Sequence, residues 1–409
     1  MGSVKRDVCI TGIGLVSSLG EGVDAHLARL TGAGACVVVD EATFAPYPVH
    51  PMVDLDFSGQ IPRRGDQRQM EPWQRIGVYA AGLALDDAGI KGDMGLLGRA
   101  GMIVAAGNGE RDTTADAAIL EAITQPGEGS GDGPASLNDM LARQLRPTLY
   151  LAQQSQLLAG NISIVHKLTG SSRTFKGEEI AGVSAVETAW RRIASGEGDI
   201  VLVGGAYNAE RADMLLILEL AHKLWRGSYR PLWERREAGG GMVTGSVGAF
   251  LVLEAANHAT ARGATVHAKL RGITTGRSAR RPGEAAANGE RLFAAIAADD
   301  FPPGPLAVLS GASGLEPATG EELAFIRALG AKGFEPAVRA LASLLGAALE
   351  AQFPAGLALA AAALSRSEFF APFDDSGVEA PYPGPPQRIL VTGWGHWRGE
   401  GLALVEAVT

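Results

Sequence analysis

Cysteine is nearly absent from this 409-residue chain, which holds only Cys9 and Cys36. Neither belongs to a Cys-x-x-Cys pair or a Cys/His cluster, which argues against a disulfide scaffold and a structural zinc site. No metal is expected, and so little cysteine suits a reducing compartment, with a cytoplasmic location expected. An excess of positive charge is also missing. The formal net charge is −9, which disfavours a general nucleic-acid binder, because neutralising phosphates requires a concentrated basic surface. Long hydrophobic runs are lacking as well. The most apolar late stretch, 341–364, is interrupted by Glu350, Gln352 and Pro354. It reads as buried core helix and turn, so no membrane span is expected. The opening residues carry no signal-peptide pattern, and Arg6 stands where a myristoylation signal has Ser or Thr. Gly12-Ile-Gly14 lacks the third glycine of a dinucleotide fingerprint, and no Gly-Lys-Ser/Thr P-loop occurs. No nucleotide or other cofactor is therefore expected.

What is abundant is glycine, 55 residues without a collagen-like period, in a chain that is 46% hydrophobic and 20% charged. That composition excludes a mainly disordered chain and provides a substantial core. Apolar runs at 7–16, 101–107, 200–205 and 247–253 read as strands. Between them lie helical patterns at 24–30, 70–88, 149–158, 161–166 and 181–195, and the alternation predicts parallel sheets covered by helices. The Gly/Pro/Ser-rich segment 125–136 reads as an exposed flexible loop. A faint repeat relates Met242–Ala255 to Leu390–Ala407, each a Gly-rich turn feeding an apolar strand that ends in Glu-Ala. It divides the chain into two related halves, 1–255 and 256–409.

Several segments together resemble the β-ketoacyl-acyl-carrier-protein synthases. They are Ile10–Gly20, Arg63–Met70 followed by Tyr79–Gly89, Ser195–Gly205, Pro231–Arg236, Gly245–Glu254 and Gly393-Trp394-Gly395, in the family's order along the whole chain. The resemblance implies a thiolase-like α/β fold: two similar halves in five layers, with helices sandwiching two sheets. It also implies a dimer. Condensation in that family needs a Cys nucleophile at a helix N-terminus and two His that stabilise a thioester enolate. Counting from matched neighbours puts the nucleophile position at Glu179, the first His at Ser310 or Gly311, and the second at Ser343. The family's lysine before the second His is replaced by Val338 or Arg339. Members without the triad resemble chain-length factors, which pair with an active ketosynthase and shape its acyl tunnel. The pattern is most similar to the second synthase-like protein of rhizobial-type very-long-chain fatty acid synthesis for lipid A, on Phe44–His50, Gly65–Met70 and Gly204–Arg211.

The resemblance names further candidates, each with a plain structural alternative. Glu179 is a helix cap that disarms the old site, or a residual acid/base group. Arg63, Arg64 and Arg68 dock an acidic acyl carrier protein, or form a solvated face. Trp394, flanked by Gly393 and Gly395, is a gate or wall of the site, or core packing. His396 belongs to the same loop, most simply as a hydrogen-bonded structural group. Phe369, Phe370, Trp225 and Trp233 line an acyl channel or fill the core. The expected partners are an active ketosynthase in a heterodimer, or a second copy, together with the carrier. The alternative activity is a working 3-oxoacyl synthase with displaced catalytic groups.

Overall fold

The computed structural model describes residues 6–31, 37–124, 133–145, 149–297 and 301–408. Cys36 lies outside them. So does 125–132 of the expected loop, whose last residues instead open a helix, Gly133–Gln144.

Ten strands carry the fold. The first five are β1 (Val8–Ser17), β2 (Gly101–Ala106), β3 (Ser172–Lys176), β4 (Ile200–Tyr207) and β5 (Val247–Ala255). The second five are β6 (Ala268–Gly276), β7 (Gly304–Ser310), β8 (Phe334–Ala340), β9 (Arg388–Trp394) and β10 (Glu400–Glu406). The spatial order is β3-β2-β4-β5-β1 followed by β6-β10-β9-β7-β8. Each set of five thus has the same order, third-second-fourth-fifth-first, read from its outer edge. The repeated segments of the sequence, ending in β5 and β10, occupy equivalent places.

The sheets are mixed rather than parallel, which corrects the expectation. β5 runs antiparallel to β1 and β4, and β10 antiparallel to β9 and β6. Only five residues, 395–399, separate β9 from β10. A parallel crossover needs a dozen or more, so this connection has to be a hairpin. The two sets also join. β1 pairs with β6 through Cys9 and Ile10 opposite Lys269 and Ala268, making one hydrogen-bonded path in place of two separate sheets.

Eight helices matter for the layers and the site. In chain order they are α1 (Pro72–Asp87), α2 (Thr113–Thr124), α3 (Leu157–His166), α4 (Glu179–Ser195), α5 (Ala212–Leu220), α6 (Glu284–Ile296), α7 (Ala318–Gly330) and α8 (Gln352–Ser365). α1 begins where Glu71 and Gln74 form a reciprocal capping box around Pro72. It lies almost backbone to backbone on β1. A Cβ at Gly14 would fall 1.9 Å from the Ala80 carbonyl oxygen, so only glycine fits there. α4 stops at Gly196, whose φ of 87° is the left-handed C-terminal cap.

α1 and α3 cover one outer face, and α6 and α7 the other. α4 and α8 pack against strands of both sets and against each other, forming the middle layer. Three hydrophobic clusters fill the spaces between these layers. α8 is buried along Gln352–Leu364, as the stretch around Glu350 predicts. Among the described residues no helix is long and apolar enough to cross a membrane.

Candidate functional site

The turn after β3 delivers the chain to the first residue of α4, Glu179. Its side chain is buried at the helix N-terminus, where free N–H groups and the helix dipole favour a carboxylate. Oε1 lies 2.7 Å from His396 Nδ1, and Oε2 has no hydrogen-bond partner. The other imidazole nitrogen, Nε2, lies 3.0 Å from Lys223 Nζ. A lysine ammonium only donates, so Nε2 accepts, and the imidazole proton sits on Nδ1 and points to Glu179. Glu179, His396 and Lys223 are therefore a chain from carboxylate to cation through a neutral imidazole. Lys223 also lies 5.2 Å from the centre of the Trp397 ring.

Glu178, Glu179 and His396 bring their ligand-type atoms within 4.8 Å of one another. With Lys223 on the second His nitrogen, an ammonium already supplies positive charge beside this donor set.

A cavity of about 190 Å³ opens beside this chain. Its polar lining includes Glu178, Tyr207, Arg211, Lys223, Glu350 and His396, with Met214, Ile217, Leu218 and Leu349 on the apolar side. His396 lines the cavity while Glu179 stands behind it. Glu350 Oε1 accepts the Gly107 N–H at 2.8 Å. Burial pushes the Glu350 carboxyl up to about 8, with the Glu179 charge adding to the rise and Arg211 opposing it. Arg211 grips Asp213 with two N–H groups, at 3.0 and 2.7 Å. Leu349, just before Glu350, has a φ of 40°, a strained conformation for a branched residue.

The other candidates divide. Gly311 stands against the same loop, since a Cβ there would fall 3.3 Å from the Gly393 Cα. Its N–H donates to Thr392 Oγ1 at 2.8 Å. Ser310 Oγ and Thr392 Oγ1 both donate to buried Glu322. Ser343 is buried, and its Oγ accepts the Leu232 N–H at 2.9 Å while its carbonyl accepts from the Tyr229 hydroxyl. Neither Ser310, Gly311 nor Ser343 lines the cavity. Arg339 is wholly buried, donating to the carbonyls of Phe370, Val338 and Ala380.

Trp394 is turned away from the cavity. It stacks on Phe325 at 5.7 Å in the cluster beneath α6 and α7. The side chain that this loop sends to the cavity is that of His396, two residues later. Phe369, Phe370 and Trp233 do not converge around one channel. The phenylalanines stack on each other at the edge of the central cluster, and Trp233 belongs to the outer one. Trp225 donates its indole N–H to the Ser228 carbonyl. Arg63, Arg64 and Arg68 are exposed; Arg64 and Arg68 lie on a short helix, Arg64–Gln69, that precedes α1, and Arg63 is its N-cap, so none is on α1 itself. Cys9, the described cysteine, is buried in β1, where desolvation raises its pKa.

Tyr207, Arg211, Lys223 and Glu350 were not singled out by the sequence as cavity groups. Glu350 alone left a signal, as a solitary acid in an otherwise apolar stretch.

The β-ketoacyl synthase N-terminal domain model matches residues 5–259, more than half of the chain. The 3-oxoacyl-[acyl-carrier-protein] synthase 2 of Vibrio harveyi is 27% identical over 278 residues, spanning 66% of this chain and 62% of that relative's length. Among solved structures, the ishigamide ketosynthase/chain length factor superposes with a TM-score of 0.78 at 21% identity, covering 99% of this chain and 100% of that one. A type II polyketide ketosynthase, determined in complex with its acyl-carrier protein, gives 0.71 at 18% identity and covers 99% and 100%. The architecture is the thiolase-like ketosynthase fold, and the chain belongs to the β-ketoacyl synthase family.

Proposed function

We propose that this chain is a condensation-inactive, chain-length-factor-like subunit that pairs with a catalytic ketosynthase and completes its acyl tunnel. The observation that carries this reading is Glu179, a carboxylate at the helix N-terminus where the family places its thiol nucleophile. A carboxylate cannot take the thiolate's place, because an acyl-glutamate is a mixed anhydride. The groups at the two histidine positions are Gly311, or the neighbouring Ser310, and Ser343, and none supplies an imidazole. The substrates proposed are very-long-chain acyl groups on an acyl carrier protein, in a cytoplasmic, rhizobial-type lipid A pathway. The two halves are proposed to be 1–255 and 256–409, meeting where β5 ends.

An exposed apolar face supports the pairing. Leu120 on α2 and Leu216, Ile217 and Leu220 on α5 are each more than half exposed. α2 and α5 enclose an apolar groove that shares Ile217 with the cavity. A ketosynthase of the same fold seated on this face would bring its own tunnel next to the cavity wall. The test is co-expression with candidate ketosynthases and reconstitution with carrier protein, reading oligomeric state and product mass. A stable mixed dimer whose products change in length when Ile217 becomes Trp is the expected result. A homodimer with no affinity for any ketosynthase favours a carrier-binding protein instead. Condensation by the chain alone favours a synthase with displaced catalytic groups.

Carrier docking is assigned to Arg63, Arg64 and Arg68. Reversing all three to Glu is expected to weaken carrier binding by the assembled complex at least about tenfold at low salt, with the difference shrinking as salt rises. Unchanged affinity in a binding titration removes this assignment.

A further inference from the structure

One cavity group has no task in the chain from Glu179 to Lys223. Tyr207 is one of the cavity's lining residues, it is 3% exposed, and its hydroxyl oxygen is buried with no hydrogen-bond partner. Leaving a buried hydroxyl without a partner is costly, so its place calls for an oxygen to pair with it. Glu350 faces the same space. Its Oε1 is fixed by the Gly107 N–H, and its backbone carbonyl lies against Gly205, two residues before Tyr207 on β4. Among charged groups, Glu350 acts most strongly on Tyr207.

We propose that the Tyr207 hydroxyl and the Glu350 carboxylic acid form a two-donor site for a single ligand oxygen that carries negative charge, that of an enolised carbonyl compound or a phenol. Glu350 is suited to donate because burial keeps its carboxyl protonated up to about pH 8. A tyrosine paired with a neutral carboxylic acid is an established way of holding an oxyanion in an apolar site. Arg211 and Lys223 add positive potential from the wall, while Met214, Ile217 and Leu218 supply the apolar contact for the rest of the ligand. Arg211 is occupied by Asp213 and the carbonyls of Asn108 and Gly109, so it acts through charge rather than as a free donor. Lys176, Glu178 and His396 are the other charged or titratable groups facing the cavity. The inference does not depend on which partner the chain has.

The test uses the purified full-length chain and 4-nitrophenol, whose ionised form has its own absorption band. At a pH below the midpoint of the free compound, binding is expected to bring up the phenolate band, with the released proton passing to solvent. Tyr207→Phe is expected to weaken binding about tenfold or more, the loss of one hydrogen bond to a charged oxygen. As pH rises through about 8, the Glu350 carboxyl ionises, stops donating and repels the ligand. Wild-type binding then falls, whereas Glu350→Gln, neutral at every pH, continues to bind. Thermal melts of both variants check that the fold is intact. No phenolate band with the wild type, equal affinity in Tyr207→Phe, or the same pH profile for wild type and Glu350→Gln would overturn the proposal.

Discussion

Given an acyl thioester and a malonyl-carrier thioester, the purified chain alone is expected to form no carbon–carbon bond, and Glu179→Cys is expected not to restore the reaction. Product mass, read beside an intact synthase, should fall short by at least about three orders of magnitude. A thiol at position 179 would regain a nucleophile at a helix N-terminus, but the enolate would still lack its two imidazoles. The surrounding backbone also resists putting them back. A Cβ on Gly311 would fall 2.5 Å from the Thr392 carbonyl oxygen, so Gly311→His demands that β9 move. Ser343 Oγ already satisfies the Leu232 N–H at the start of a short helix, Leu232–Glu237, and a larger side chain there would orphan that donor. Condensation by the wild-type chain, or its return in Glu179→Cys alone, would show that other groups now perform the chemistry.

Unfolding free energy should be greatest on a plateau between about pH 4.5 and 6.5 and fall steeply on either side. Burial raises four carboxyl groups above an ordinary 4.5, three of them far: Glu322 and Glu379 to about 7 and Glu350 to about 8, with Glu110 raised less. Their folded forms hold protons that the unfolded chain has lost. Their contribution is therefore complete below about 4.5 and disappears as pH rises through 7 to 8. Burial lowers three histidines from 6.5: His26 and His166 to about 4 and His50 to about 3. Their contribution is complete above 6.5 and disappears as pH falls through 4 to 3. Between the two limits three groups of each kind oppose one another and their slopes cancel. Each pH unit of separation is worth about 1.4 kcal/mol per group, so the alkaline loss is on the order of several kcal/mol. Urea unfolding at successive pH values checks this. Replacing Glu322, Glu350 and Glu379 by Gln should flatten the alkaline side and, with little left to oppose the histidines, turn the plateau into a decline that begins as pH falls below about 6.5; a wild-type curve flat to pH 9 would contradict the assignment.

Much of the layer plan is legible in the chain. The apolar runs at 101–107, 200–205 and 247–253 and the helical pattern over 70–88 lie on observed elements, because periodicity reports burial directly. Strand direction is not encoded that way, and only the short connection 395–399 betrays an antiparallel pair. Of the two readings of Trp394, gate or core packing, the strand pattern itself favours the core. Side chains alternate along β9, so Leu390 and Trp394 share the outer cluster while Ile389 and Val391 face the central one. Counting by twos from Leu390 puts the tryptophan away from the former reaction centre. Spacing revealed Glu179, because one matched segment fixes its number. The cavity groups come from three separate stretches of chain, around 207–211, 223 and 350, and nothing local ties these stretches together.

The place of β1 has a consequence for how the molecule is made. β1, made before the other nine strands, becomes the keystone of the whole sheet, hydrogen-bonded on one flank to β5 and on the other to β6. Val8 waits for Ala255, 247 residues of synthesis later, and Cys9 for Lys269, 260 residues later. Closing so long a loop is slow, and until it closes a mostly apolar ribbon, Val8–Ser17, buried throughout in the fold, has both edges open. Nascent chains of this protein should therefore lean on chaperones until about residue 270 has emerged, then gain protease resistance in one late step.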